Sequence, residues 1–257
     1  MKLTFLGTNG WYATKTGNTT CALIETASRY IVLDAGDGIY HLDEYATDSS
    51  KPVDIFLSHF HLDHIIGLHI QPKFHFKNQI RIFGQPGMVK LLDTIINRPF
   101  TASRKMLSNI GLNISLHELS EGKNIIDEYC VHALPLTHAD PCWGFRFQLP
   151  DRKKEKIISY CTDTGPCENL MTLSKDSDLL ITECSLLSTD ELTPSWPHMT
   201  PQAGAQAALK ANAKKLVFTH FAAQKYTSLQ LRKEAQSAAR KIFENSFYTQ
   251  DLMQFEV

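Results

Sequence analysis

A chain of 257 residues, 43% of them hydrophobic and 21% charged, holds enough apolar material for one substantial core and excludes disorder as the default state. A formal net charge of −1 advertises no broad surface for nucleic acid or for a membrane. No apolar run is long enough to span a bilayer, and the start, Met1 to Gly7, reads as a strand rather than a signal peptide. The expected organisation is therefore a single domain over 1–257, cytoplasmic, without a membrane segment. The six cysteines, Cys21, Cys130, Cys142, Cys161, Cys167 and Cys184, form no C-x-x-C pair. Cys21, Cys130, Cys161 and Cys184 lie in or beside apolar runs, where a thiol behaves as a small hydrophobe of a reduced protein.

In chain order, 2–6, 20–25 and Tyr30–Leu33 carry β-branched and apolar residues bounded by Gly, Asn and Ser, and read as strands. Asp34 to Gly38 breaks the third strand, and a helix over about 39–45 follows. The short apolar run 53–57 is a buried strand that runs directly into a histidine cluster. Next come a strand at 80–83 and a helix opened by Pro86 and reaching about Ile96. A meander of strands is expected at 112–119, 124–126 and 129–134. A hairpin is expected from 144–149 and 156–160, joined by a turn with the basic cluster Arg152, Lys153, Lys154 and Lys156. That cluster, like Lys214-Lys215, reads as a solvated turn. The run 178–181 is a further strand, Pro201 opens an Ala-rich helix to about Ala211, and 215–219 is the last central strand. A helix at about 228–243 precedes the tail. Each half gives strands and then helices, which predicts an α/β sandwich of two mixed sheets with helices outside. The longest stretch without clear signals, 182–200, is read as functional.

Of the eleven histidines, the informative ones stand at strand ends. In an extended segment His59 and His61 share a face and reach one ion together, whereas a helix starting near Leu62 turns Asp63 and His64 toward a second. Imidazole and carboxylate are the ligands that zinc and similar divalent cations take. His138, Asp163 and His220 each follow an apolar strand, so one rim of a sandwich can gather them at the same point. His41, His69, His75, His117 and His132 read as ordinary polar residues, although His69 and His75 are near enough to the cluster to line a cleft. Phe74, Phe76 and Trp143 read as core or rim packing rather than base stacking.

The segments Phe5-Leu6-Gly7-Thr8, Leu33-Asp34-Ala35-Gly36, Ser58-His59-Phe60-His61-Leu62-Asp63-His64, Thr137-His138, Thr162-Asp163-Thr164-Gly165, Glu183-Cys184 and Thr219-His220-Phe221 occur in this order. Together they resemble the metallo-β-lactamase superfamily over nearly the whole chain. The resemblance implies a four-layer αβ/βα sandwich. It implies that His59, His61 and His138 hold one metal, that Asp63, His64 and His220 hold the other, and that Asp163 bridges them. Within the superfamily the run His198-Met199-Thr200, followed by Ala203 and Ala207, is most similar to the ribonuclease Z and phosphodiesterase subgroup. That likeness implies catalytic roles for Asp63 and for His198 assisted by Glu183 on the leaving-group side, with Asp34 orienting a ligand histidine.

Two departures bear on the substrate. Ribonuclease Z enzymes commonly insert an arm that grips transfer RNA between the positions matching His138 and Asp163. Here that interval is 25 residues, filled by the hairpin, which argues against transfer RNA. Asp163 stands where two-zinc β-lactamases use cysteine, which argues against lactam hydrolysis. The reaction implied is hydrolysis of a small or medium phosphodiester with two divalent ions, zinc first and manganese or iron next, through a hydroxide held between them. A thioester or lactone hydrolase with the same metals is the alternative, and an inactive binding module the third. A homodimer is compatible with the sequence.

Overall fold

The computed structural model describes residues 1–151 and 154–257, and in it two seven-stranded mixed sheets pack face to face. The first sheet runs, edge to edge, through Gln254–Glu256, Lys2–Gly7, Cys21–Glu25, Tyr30–Leu33, Val53–Phe56, Ile80–Gly84 and Ile114–Glu118. The second runs through Ser246–Phe247, Leu216–Thr219, Leu179–Glu183, Lys156–Cys161, Trp143–Leu149, Tyr129–Pro135 and Gly122–Ile126. Alternate residues of a strand face opposite sides. Ile31 and Leu33 thus point into the core between the sheets with Phe56, Phe145, Phe147 and Ile181, while Tyr30 and Val32 point outward. The outward faces are covered by helices, Met88–Ile95 and Arg104–Asn109 on one side, and Glu168–Ser174, Pro201–Lys210 and Leu229–Arg240 on the other. The expected α/β sandwich is the fold found.

Local sequence explains the helix starts. Thr200 accepts a hydrogen bond from the Ala203 N–H and Pro201 occupies the first turn, where its missing N–H costs nothing. Ser228 caps Leu229–Arg240 through the Leu231 N–H in the same way.

Several expectations need correction. The strand at 112–119 does not form a meander with the next two. Ile114–Glu118 pairs in parallel with Ile80–Gly84, and the chain then crosses to the second sheet, where Gly122–Ile126 and Tyr129–Pro135 make a hairpin. The helix expected from Pro86 starts two residues later, at Met88, because Gly87 takes a left-handed turn first. The helix over 39–45 is a 3-10 turn, Asp37–His41, followed by a single α turn, Leu42–Tyr45. The α-helices Arg104–Asn109 and Glu168–Ser174 gave no signal, nor did the 3-10 helix Ile66–Lys73 or the edge strands of the tail. Arg152 and Lys153 of the basic turn lie outside the described residues. All six cysteines are free thiols, and among the described residues no helix is long and apolar enough to cross a membrane.

The topology puts chemistry at one end. Tyr30–Leu33, Val53–Phe56, Lys156–Cys161, Leu179–Glu183 and Leu216–Thr219 all run parallel to a neighbour, and their carboxyl ends meet at one rim of the sandwich. Carboxyl ends of parallel strands are where such folds bind ligands. The opposite end is closed by charge. Asp54, fully buried, accepts from Arg29 at 2.5 Å, from Arg81 at 2.7 Å, and from the Tyr129 hydroxyl of the other sheet at 2.8 Å. Removing one member of a buried ionic group leaves its partners uncompensated at about 3–5 kcal/mol. Asp54→Ala is expected to lose about that much stability in urea denaturation while keeping wild-type metal content, because the clamp and the rim are at opposite ends. A loss under about 1 kcal/mol would assign the joining of the sheets to the apolar core instead.

Candidate metal centre

His59, His138, Asp163 and His220 each sit just past a strand. His59 and His61 follow Val53–Phe56 in extended backbone, and the single turn Leu62–Ile65 then carries Asp63 and His64 to the other side, as the spacing predicts. Three of the residues at the rim sit in left-handed backbone, Asp34 at φ 57°, Asp163 at φ 48° and His220 at φ 49°. Outside glycine this conformation is uncommon, and it recurs where surrounding structure fixes a functional side chain. His220 also needs Gly10. A Cβ there would lie 2.5 Å from the imidazole, so any other residue displaces the ring.

The side chains form two groups of metal-ligand type. His59, His61, His138 and Asp163 make one, and Asp63, His64 and His220 the other, with ligand atoms in each within 4.8 Å of one another. Asp163 divides itself between them. Its Oδ2 faces His59 Nε2 at 3.8 Å and His138 Nε2 at 4.0 Å, while Oδ1 faces His64 Nε2 at 3.5 Å and His220 Nε2 at 3.2 Å. Asp63 Oδ2 lies 3.3 Å from His220 Nε2 and 3.6 Å from His64 Nε2. Ligands bound at about 2.0–2.1 Å around a tetrahedral ion stand roughly 3.3 Å apart, so these gaps are of the right size.

Buried polar atoms without partners decide whether a cation fits. His59 Nε2 and both ring nitrogens of His138 are buried and make no hydrogen bond. Such atoms are rare in native proteins and need an explanation, and a divalent ion supplies one. The charges agree. Burial raises the carboxyl of Asp163, yet His220 and His64 outweigh it and hold that group well below the ordinary range. Asp63 is lowered in the same way against its own burial, chiefly by His64. His64 is raised, against burial, by Asp163, Asp34 and Asp63, whereas burial and then His64 lower His59. The carboxylates of Asp163 and Asp63 thus stand in a setting that favours their charged form beside cationic partners.

Further groups hold the ligands in register. Asp34, fully buried, accepts from His64 Nδ1 at 2.8 Å, from the Ser58 N–H at 2.7 Å and from the Tyr160 hydroxyl at 2.7 Å. It therefore turns His64 Nε2 to the cluster, the orienting part its position implied. Ser185 Oγ lies 3.2 Å from His220 Nδ1. Asp140 takes His61 Nε2 at 2.8 Å, which leaves Nδ1 for an ion. Sequence reasoning missed Asp140, Tyr160 and Ser185, for none carries a spacing signal, and it placed Ser58 in the histidine motif without giving it a role.

His198 and Glu183 stand beside the ligands. His198 Nδ1 donates to Glu183 Oε1 at 2.7 Å, and its ring centre is 5.3 Å from that of His138. Glu183 is wholly buried and also accepts N–H groups from Thr164, Ser185 and Met199. Burial opposes charge on His198, but Glu183 prevails and the imidazole is pushed up to about 9. A cavity of about 410 Å³ opens over these groups, lined among others by His61, Asp63, His198, Trp11 and Trp196. His69 and His75 are exposed and do not line it, while Phe74, Phe76 and Trp143 are buried in the cores.

Comparison with known proteins follows the same lines. The family described as beta-lactamase superfamily domain matches residues 29–221. Ribonuclease Z of Bacillus velezensis is 25% identical to this chain, covering 100% of it and 99% of the relative. That alignment has 313 positions against 257 residues here, so the relative carries segments this chain lacks. The metallo-beta-lactamase fold protein YhfI from Bacillus subtilis superposes with a TM-score of 0.77 at 17% identity, covering 99% of each chain. The short form of human tRNase Z does so with a TM-score of 0.75 at 21% identity, covering 100% of this chain and 99% of the other.

Asp34→Asn keeps the shape of the side chain but weakens its hold on His64. Metal affinity measured by competition with a chromophoric chelator is expected to fall about 10- to 100-fold, with the fold intact by circular dichroism. Unchanged affinity would mean that packing alone orients His64.

Proposed function

Because the chain belongs to the metallo-β-lactamase superfamily of metal-dependent hydrolases, we propose that it is a phosphodiesterase of the ribonuclease Z type acting on a small or medium phosphodiester. The observation that carries this reading is the buried His198–Glu183 pair, set beside the ligand groups and facing the same cavity. A carbonyl substrate with a good leaving group has little use for a proton donor there, whereas an alkoxide leaving phosphorus needs one.

Seven side chains, His59, His61, His138, Asp163, Asp63, His64 and His220, would hold two divalent ions, zinc being the first candidate for such nitrogen and oxygen donors. Ions so paired act as Lewis acids and make water nucleophilic near neutral pH. The remaining work belongs to the chain. Asp163 fixes the distance between the two ligand groups, and Asp63 adds negative charge on the side of His220. Glu183 binds Nδ1 of His198 and keeps that ring protonated, so Nε2 is the atom that delivers a proton to the departing oxygen. Microscopic placement of this kind contributes about 10²–10⁴-fold.

Transfer RNA is not the substrate proposed. The interval between His138 and Asp163 holds the hairpin Trp143–Leu149 with Lys156–Cys161. Among the described residues no Lys or Arg lines the cavity, so few phosphate contacts would be available to release counterions. That lining also favours a second reading, hydrolysis of an uncharged thioester or lactone; with the thioester the thiolate leaves unaided and His198 is dispensable.

His198→Ala is expected to lower kcat by about 10²-fold or more on a diester with an alkyl leaving group, and far less on bis-p-nitrophenyl phosphate, whose phenolate leaves unaided. Metal content should not change. Since the imidazole is an acid only below its raised pKa, kcat on the poor leaving group should fall on the alkaline side in wild type, and His198→Ala should lack that limb. Equal losses on both substrates with the limb retained would assign His198 a binding role.

A further inference from the structure

Two tryptophans outside the ligand set stand at the mouth of the cavity. Trp11 and Trp196 are 60% and 47% exposed, their ring centres are 6.2 Å apart with planes tilted by 36°, and Trp196 lies 5.1 Å from the ring of His198. Leu62 is exposed at the same mouth. Scattered apolar side chains on a surface carry no message, but a cluster at one cleft marks a binding surface.

The backbone beneath both rings is fixed by hydrogen bonds. Trp11 has φ 77°, a left-handed conformation that is an outlier for a bulky residue and persists only where its surroundings impose it. Those surroundings are visible. Asn9 donates to the carbonyls of Tyr12 and Gly17, and buried Arg232 bonds both Asn9 and Thr8. The Trp11 N–H donates to Asp63 Oδ2 at 2.6 Å, which ties the position of the ring to a metal ligand. Trp196 closes a tight turn through its N–H to the Thr193 carbonyl at 3.3 Å, between Pro194 and Pro197.

We propose that Trp11 and Trp196 form a stacking platform for a planar aromatic group carried by the substrate, a nucleobase or an aryl ring. The proposal rests on the phosphodiester reading for the scissile group, and makes a small nucleotide- or aryl-bearing phosphodiester the substrate class. Among the described residues no Lys or Arg stands in the cavity wall, so the part of the substrate away from the phosphorus meets indole faces rather than a basic side chain. Indole stacks on any flat π-system, so the platform selects aromatic esters over sugar or alkyl phosphates and is tolerant among bases.

The test is binding of monoesters to the metal-loaded protein, read by tryptophan emission and by calorimetry, with buried Trp143 as constant background. Adenosine monophosphate should quench the emission and bind about 10-fold or more tightly than ribose 5-phosphate. Trp11→Ala and Trp196→Ala should each remove about that advantage, leave the ribose 5-phosphate affinity and metal content unchanged, and be largely rescued by Phe. Phenyl phosphate binding like adenosine monophosphate assigns the platform to aryl rings in general, and phenyl phosphate binding like ribose 5-phosphate assigns it to nucleobases. Equal affinity of wild type for adenosine monophosphate and ribose 5-phosphate overturns the proposal, as do Ala variants that keep the aromatic advantage. A blue shift of the emission with protein concentration and no ligand also overturns it, since a second copy would then cover the patch. Failure of the phosphodiester reading looks different: aromatic monoesters bind as described, while bis-p-nitrophenyl phosphate is not hydrolysed and a thioester is.

Discussion

One carboxylate organises this molecule. Asp163 leaves the end of Lys156–Cys161 in a left-handed conformation and gives one oxygen to His59 and His138 and the other to His64 and His220. A buried carboxylate must be paired or hydrogen-bonded; the Thr162 hydroxyl donates to Oδ1 at 2.8 Å, and cationic partners on both sides balance the remaining charge. His59 and His64 come from the first sheet and His138 and His220 from the second, so this side chain also sets how the two rims face each other. Strain at Asp34, Asp163 and His220 is the local expression of that demand.

The rest of the structure serves the arrangement from further out. Asp34 ties His64 to Ser58 and to Tyr160 of the opposite sheet, and the Trp143 N–H reaches across to the Ser58 carbonyl. At the far end, Asp54 with Arg29, Arg81 and Tyr129 pins the sheets again. Polar links at both ends of a largely apolar interface between the layers keep the ligand-bearing ends from sliding, and ligands displaced by 1 Å lose much of a metal site's function. The His198–Glu183 pair, held by three backbone N–H groups, is fixed relative to the ligands by the same framework.

Much of this was legible because the information is local. His59, His61, Asp63 and His64 occur within six residues at the end of an apolar run, and chain geometry alone divides them between two faces. Central strands announced themselves as apolar runs, and Thr200-Pro201 as a helix start. What escaped had no local signature. Glu168–Ser174 is seven residues with no capping side chain, held by Leu170 and Leu173 against the second sheet. The crossing after Glu118 depends on which sheet has a free edge, a property of the assembled fold. Trp11, Trp196 and Asp140 stand in loops without periodicity, and their importance arises only from what they face.

The central claim is that one bridging carboxylate couples two ion sites, and the most direct measurement is the manganese stoichiometry and electron paramagnetic resonance of the reconstituted protein. Wild type should take up two ions per chain and show the exchange-coupled spectrum of a pair about 3.5–4 Å apart. Asp163→Asn should lose the coupling and bind at least one ion much more weakly. One ion per chain in wild type, or a coupled pair that survives Asp163→Asn unaltered, would contradict the account.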